Sequence, residues 1–94
     1  MSENRVIELP SDVSIMEVEH LQTQFQQLLA ADGELVVNAE KVERVDTAAL
    51  QLLASFFLSC QQQHRPVHWQ TPSEVLHISA NLLGMGGVLG LSEA

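Results

Sequence analysis

The sequence is poor in several kinds of residue, and each shortage excludes a class of protein. Cys60 is the only cysteine among the 94 residues, so no internal disulfide can form and a reducing cytoplasm is the expected compartment. No apolar run approaches the ~20 residues that a membrane-spanning helix requires, and residues 1–5 lack the basic and apolar regions of a signal peptide. We therefore expect a cytoplasmic protein with no direct membrane insertion.

Cationic side chains are also scarce, which makes the chain strongly acidic. Lys and Arg total 4 against 12 Asp and Glu, and the formal net charge is −8. Such a surface repels phosphate backbones and anionic lipid headgroups. The composition therefore argues against nucleic acid as a partner. It leaves two roles for the charge, which either complements a basic patch on a partner protein or only aids solubility.

What the chain does contain is a regular alternation of strand and helix patterns. Short apolar or alternating segments predict strands at 5–9, 35–37 and 67–70, and a last short strand at 88–89. Between them, helical spacing of apolar residues predicts helices that begin near Ser14, Thr47 and Thr71. Strands that alternate with helices form a mainly parallel sheet. We predict a single α/β domain over residues 1–94, with a four-to-five-stranded mainly parallel sheet and three or four helices.

Capping residues mark the ends of two of these helices. Capping boxes are predicted by two pairs of a hydroxyl residue and a glutamate, Ser14 with Glu17 and Thr71 with Glu74. Glycine is the residue expected just beyond a helix end, and it occurs in Ala31-Asp32-Gly33 and again at Gly84.

The second helix, predicted over 47–63, has two unequal faces. At ~100° per residue, one broad side is apolar and is assigned to the core; it carries Ala49, Leu50, Leu53, Phe56, Phe57 and Cys60. The opposite arc is polar and carries Gln51, Ser55, Ser59 and Gln62. Leu58 projects into this polar arc, and we expect it to form a small apolar patch with Ala48 beside the Thr47 hydroxyl.

The step from Asp46 to Thr47 is the most informative local feature. Asp is a favoured N-cap because its carboxylate accepts hydrogen bonds from the unpaired N–H groups of the first turn. Thr47 is then held at the helix N-terminus, where the positive end of the helix dipole favours an anion. The hydroxyl is therefore either a local hydrogen-bonding device or a phosphoacceptor and contact residue, and the residues alone leave both open.

At Asp46-Thr47-Ala48-Ala49-Leu50 the sequence resembles the STAS family, the domain of anti-sigma-factor antagonists and of sulfate-transporter tails. The family motif is a strand that ends in a hydrophobic-Asp step, followed by Ser or Thr, small residues and Leu. The resemblance extends from about Val6 through the Leu-rich helix and 65–67 to 82–85. It implies the STAS fold and a regulatory, protein-binding role in signal transduction.

The chain departs from the family pattern in two places. STAS domains commonly begin with an additional strand, and without it we expect an exposed sheet edge that can recruit another chain. The usual phosphoacceptor of the family is the second residue after the Asp, and here that residue is Ala48, which cannot be phosphorylated. Thr47 matches the preceding hydroxyl position and is the candidate phosphosite that remains.

An enzymatic or metal-binding role has little support in the sequence. Cys60 lies on the predicted buried face, where a thiol is usually unreactive. His64 and His68 are four residues apart, but Pro66 between them excludes a shared helical face. Glycines cluster at 84–90, yet no Lys or Arg follows to engage a phosphate. We expect no catalytic residue, no metal and no cofactor.

These patterns, together with the resemblance, predict a non-enzymatic module that binds a regulatory protein and is a monomer or weak homodimer. The expected partner is an anti-sigma, chemotaxis or sensory kinase. The expected contact residues are Asp46, Thr47, Ala48, Gln51, Ser55 and Leu58. STAS proteins with Asp-Thr and two small residues also occur as accessory subunits of bacterial lipid-transport ABC ATPases, which gives one alternative. A second alternative is a binder of a small ligand, such as an acyl chain or a nucleotide, in a cavity between sheet and helices.

Overall fold

Strands and helices alternate along the chain in the computed structural model, which describes residues 5–31 and 33–91. The strands are β1 (Arg5–Glu8), β2 (Asp12–Val13), β3 (Leu35–Asn38), β4 (Arg44–Val45) and β5 (Val67–Gln70). The helices are α1 (Ile15–Ala30), α2 (Thr47–Gln62), α3 (Glu74–Leu82) and α4 (Gly86–Leu89). None of the helices in these ranges is long and apolar enough to cross a membrane.

Every described strand pair is parallel. The larger sheet has the strand order β1-β3-β5, and Leu35 lies between Arg5 and Val67 in its register. The two-residue strands β2 and β4 pair with each other in a separate small sheet. The predicted α/β class with mainly parallel strands is therefore confirmed, with the strands divided between two sheets.

The core lies on one face of the larger sheet. Ile7, Leu35 and Val37 point toward the helices and are buried, whereas Val6 and His68 lie on the opposite face and are exposed. This alternation follows from the period of two along a strand. The sheet is thus covered by helices on one side, and its other side faces solvent.

The apolar face of α2 fills this core as predicted. Its buried residues are Ala49, Leu50, Leu53, Phe56, Phe57 and Cys60. Aromatic rings extend the packing, since Phe56 stacks on Phe25 at 4.2 Å between ring centroids and Phe57 stacks on Trp69 at 5.1 Å. Burial of each such side chain stabilises the fold by roughly 1.5–3 kcal/mol.

The helix starts differ in detail from the predicted capping boxes. Ser14 is the N-cap of α1, but its side chain accepts no cap hydrogen bond. The expected cap at Thr71 is also wrong, because α3 begins at Glu74 and Ser73 is its N-cap. The Ser73 hydroxyl accepts a hydrogen bond from the Leu76 N–H at 3.2 Å. Ser73 is as good an N-cap as Thr71 and stands immediately before the helix, so the choice between them was not fixed by residue type.

The predicted strand at 88–89 is wrong. These residues belong to the short helix α4, which ends at Gly90 with a left-handed backbone (φ 69°). Leu89 is buried, and its carbonyl oxygen accepts a hydrogen bond from Trp69 Nε1 at 2.7 Å. Two adjacent apolar residues are too few to distinguish the period of a strand from that of a helix, which explains the error. Residues 1–4 and Asp32, which also entered the predictions, lie outside the described residues.

Candidate functional site

Asp46 stands between β4 and α2 and joins the starts of two helices. Its Oδ1 accepts a hydrogen bond from the Ala49 N–H at 2.9 Å, which is the predicted N-cap bond of α2. Its Oδ2 accepts a hydrogen bond from the Ile15 N–H, the first residue of α1, at 2.8 Å. The Asp46 N–H donates to the Val13 carbonyl oxygen at 3.1 Å. Asp46 therefore fixes the position of Thr47 relative to α1 and α2 through its carboxylate, and relative to the β2–β4 pair through its backbone N–H.

Thr47 is the first residue of α2, and its side chain is exposed. Within residues 5–31 and 33–91, its hydroxyl makes no hydrogen bond to another group. A threonine that served only as a helix-terminus hydrogen-bonding device would use this hydroxyl locally. Here Asp46 performs the capping, which leaves the Thr47 hydroxyl at the helix N-terminus directed to solvent and available for contact or modification.

Two surface grooves lie on either side of Asp46. The first has a volume of about 270 Å³, and its lining includes Thr47 with Ser79, Leu82 and Leu83 of the α3 region. The second has a volume of about 460 Å³, and Ser14, Arg44 and Val75 contribute to its lining. Both grooves include Val45 and Asp46. The polar Asp46–Thr47 step thus lies between the start of α1 and one side of α3.

Several large apolar side chains in or near these grooves are exposed. Leu82 is 80% exposed and Met16 is 86% exposed, although burial of a large apolar side chain is favourable. The set that we call the Thr47 surface combines Thr47 with three exposed apolar residues of the α3 region that line the grooves and with the first two residues of α1, where the Ile15 N–H bonds to Asp46. Its members are Ile15, Met16, Thr47, Val75, Leu82 and Leu83. Exposed large apolar side chains grouped around a polar step are typical of a protein-interaction site.

Sequence reasoning did not identify the α1 and α3 members of this surface. The sequence did contain a signal for the α3 residues, because the apolar residues of α3 cover more than the single stripe that faces a core. In the structure Leu76 is buried, whereas Ile78 and Leu82 are exposed. What the sequence could not provide was the tertiary contact that brings α3 beside Thr47.

The polar arc of α2 is exposed at three of its four positions, and Ser59 is half-buried. Gln51 and Ser55 are exposed, Ala48 is half-buried, and Leu58 is 41% exposed. Leu58 shares the face of Thr47, but 11 residues of helix place it roughly 16 Å farther along the axis, at ~1.5 Å per residue. The apolar patch expected beside the hydroxyl is therefore formed by the α3 region, with Leu58 at the far end of the arc.

The groups that could carry chemistry elsewhere are dispersed or buried. Across the described ranges, no group of three or more His, Cys, Asp or Glu residues is placed to hold a metal ion. Cys60 is buried, and this burial raises the pKa of its thiol above the ordinary value of 9.0, while the nearby positive charge of Arg65 partly opposes the shift. The thiol is therefore protonated at neutral pH and a weak nucleophile.

A third groove bears on the small-ligand alternative. It has a volume of about 730 Å³ and lies at the outer side of β5, where Phe57, Trp69 and Val88 contribute to its lining. Its lining residues belong to α2, β5 and α4, so the groove lies between the edge of the sheet and these helices, where the small-ligand alternative placed a cavity. Binding of a ligand there stays a prediction.

Comparisons with known proteins agree with this architecture. A family model described as "Mlab, STAS domain" matches residues 1–91. Among solved structures, the crystal structure of a sulfate transporter family protein from Wolinella succinogenes is similar, with a TM-score of 0.78 and 16% sequence identity. The match covers 93% of this chain and 71% of that chain, and at this identity it establishes the fold alone. No curated protein matches the chain in sequence.

Proposed function

Because this chain belongs to the STAS family, we propose that it is a non-enzymatic regulatory module that binds a partner protein through the Thr47 surface. STAS domains are in general regulatory or partner-binding modules. The observation that carries the proposal is the exposed Thr47 hydroxyl, held by the Asp46 cap among large exposed apolar side chains. A helix N-terminus supplies polarity at the centre, and the apolar side chains supply area that is buried on binding.

The proposed partner is a cytoplasmic sensory, chemotaxis or anti-sigma kinase. Binding places Asp46, Thr47 and Ala48 at the centre of the interface and Gln51, Ser55 and Leu58 along one side. A phosphate on Thr47 adds roughly −1.5 to −2 charges. The dipole of α2 stabilises that charge in the free protein, whereas a desolvated apolar interface does not, so phosphorylation of Thr47 releases the partner.

A specific observation favours a second candidate partner, the ATPase subunit of a lipid-transport ABC system. The matching family model carries the Mlab description, and Thr47 is followed by Ala48 and Ala49, as in the accessory subunits that the sequence resembles. Ala48 occupies the position where the family usually carries its phosphoacceptor. In this alternative Thr47 is a contact residue that is never phosphorylated, and the same surface binds the ATPase.

Capture experiments with purified kinase and purified ATPase subunit from the same organism test both candidates. Thr47→Glu places a carboxylate in the centre of the surface, and we expect at least tenfold weaker capture, which corresponds to about 1.4 kcal/mol. Thr23→Glu is the matched control, because Thr23 is an exposed threonine on α1 whose hydroxyl donates to the Glu19 carbonyl oxygen. Equal capture of both variants would contradict the proposed surface. Phosphopeptide mapping after incubation with the kinase decides whether Thr47 is modified.

A further inference from the structure

β5 is an edge strand with backbone groups that point away from the sheet. The Leu35 N–H donates to the Pro66 carbonyl oxygen at 3.0 Å, and the Ala39 N–H donates to that of Gln70 at 3.2 Å. Because backbone groups alternate in direction along a parallel strand, those of Val67 and Trp69 face outward. Neither makes an outward backbone hydrogen bond within the ranges that the structure describes. This row of unpaired donors and acceptors fits an added strand.

The two edges of the larger sheet differ in the protection that their side chains provide. β1 carries Arg5 and Glu8, and charged side chains on an edge strand oppose pairing with another strand. β5 has the sequence Val-His-Trp-Gln, without a Lys, Arg, Asp or Glu. The exposed edge that was expected at the start of the chain is therefore charged, and the edge suited to pairing is β5.

The charge distribution allows a second copy of this acidic chain to approach at β5. No Asp or Glu occurs between Thr47 and Ser73, a segment that includes Arg65, His64 and His68. The acidic side chain placed near the edge is Glu34, whose Oε2 lies 3.9 Å from His68 Nε2. The net charge of −8 is thus concentrated elsewhere, and contact between two β5 strands avoids most of the repulsion between copies.

We propose that this edge of β5 pairs with β5 of a second copy in an antiparallel arrangement. A twofold axis at His68 places Val67 opposite the partner subunit's Trp69, and Trp69 opposite the partner subunit's Val67. Both pairs use the outward backbone groups, and each exchanges two N–H···O bonds. An axis at Val67 or Trp69 would also join outward-facing groups, but it would bring Arg65 or Thr71, which lie outside β5, into the pairing. The axis at His68 is the one whose hydrogen-bonded pairs all lie within β5.

The groove of about 730 Å³ beside β5 accommodates the partner's side chains. In the proposed register the partner subunit's Val67 and Trp69 lie on the same face of the joined sheet as Trp69 and Phe57, which contribute to the groove lining. Cross-strand pairs of an aromatic and a β-branched residue stabilise such a contact. The contact is isologous, so it closes as a dimer, and the charged β1 strands form the two outer edges.

Disulfide trapping tests this register directly. On the proposed axis the two His68 residues form a non-hydrogen-bonded pair with Cα atoms about 4.5 Å apart, a separation that a disulfide spans. Under mild oxidation we expect His68→Cys to shift from 10.4 kDa to twice that mass on a non-reducing gel. Gln70→Cys is the matched control on the same strand and exposed face; its two copies lie roughly 13 Å apart along the strands, at ~3.3 Å per residue. Buried Cys60 is common to both variants.

Sedimentation equilibrium is the second test of the proposed dimer. We expect the wild-type mass to rise toward twice 10.4 kDa with concentration, and His68→Lys to remain at the monomer mass because two like charges face each other across the axis. His68→Lys places an ammonium group beside the Glu34 carboxylate on an exposed surface, so its unfolding curve should match that of the wild type. Equal trapping of both cysteine variants, a wild type that stays monomeric, or a dimer that persists in His68→Lys would each overturn the proposal.

Discussion

The Asp46 carboxylate accepts a hydrogen bond from the Ile15 N–H at 2.8 Å, although 31 residues separate the two in sequence. The same carboxylate caps α2 through Ala49. Through this pair the start of α1 is held beside the start of α2. The position of Thr47 in the fold therefore depends on one side chain that acts on two helices.

Replacement of Asp46 tests this double role. Asp46→Ala removes the cap of α2 and the bond to Ile15, and we expect the free energy of unfolding to fall by about 1–3 kcal/mol. Urea denaturation measures the loss. Asp12→Ala removes an exposed carboxylate from the neighbouring strand β2 and should change stability by less than about 0.5 kcal/mol. Similar losses in both variants would mean that the two bonds contribute no specific stability.

Arg65 should stabilise the C-terminal end of α1. Its guanidinium donates to the carbonyl oxygens of Leu29 and Gly33, both at 2.9 Å, and of Leu28 at 3.4 Å. We expect Arg65→Ala to lower the free energy of unfolding by about 1.5–3 kcal/mol. Arg65→Lys should recover only part of this, because an ammonium group lacks the planar fork that reaches several carbonyls at once. Full rescue by lysine, measured by urea denaturation, would show that charge alone matters.

Cys60 should make stability fall at alkaline pH. Burial raises the pKa of its thiol above 9.0 in the folded protein, with Arg65 partly opposing the shift. Above pH 9 the unfolded chain therefore loses this proton more readily than the folded chain, so the contribution of Cys60 to stability is present below that pH and is lost as pH rises. Unfolding curves at several alkaline pH values should show a smaller decline for Cys60→Ala than for the wild type. Parallel declines would contradict the assignment.

The apolar members of the Thr47 surface should matter for binding and hardly at all for folding. Leu82 and Met16 are 80% and 86% exposed, so Leu82→Gln and Met16→Gln should leave the unfolding curve nearly unchanged. The double variant should bind the partner at least tenfold more weakly, because partner contacts bury these side chains. Val6→Gln, on the exposed sheet face, is the control. Leu58→Asp should have a smaller effect than the double variant, since Leu58 lies at the far end of the arc.

Features of the fold and of the candidate site that depend on residues close in sequence could be predicted. Features that depend on contacts between distant segments could not. The Asp46 cap and the buried face of α2 were predictable, because N-capping and a 3.6-residue period act within a few residues. The apolar environment of Thr47 was not, since it requires α3 to pack against β4. The two-residue strand β2 was also missed, because two residues are too short to show an alternating pattern. For the same reason β4 was implied by the family motif alone.

Hydrogen–deuterium exchange of the complex with the captured partner tests the central claim most directly. If the Thr47 surface is the docking site, the partner should slow exchange at the first turn of α2 (residues 47–50) and at residues 79–83, and leave β1 unchanged. Protection confined to other parts of the chain, with exchange at 47–50 and 79–83 the same in free and bound protein, would contradict the account.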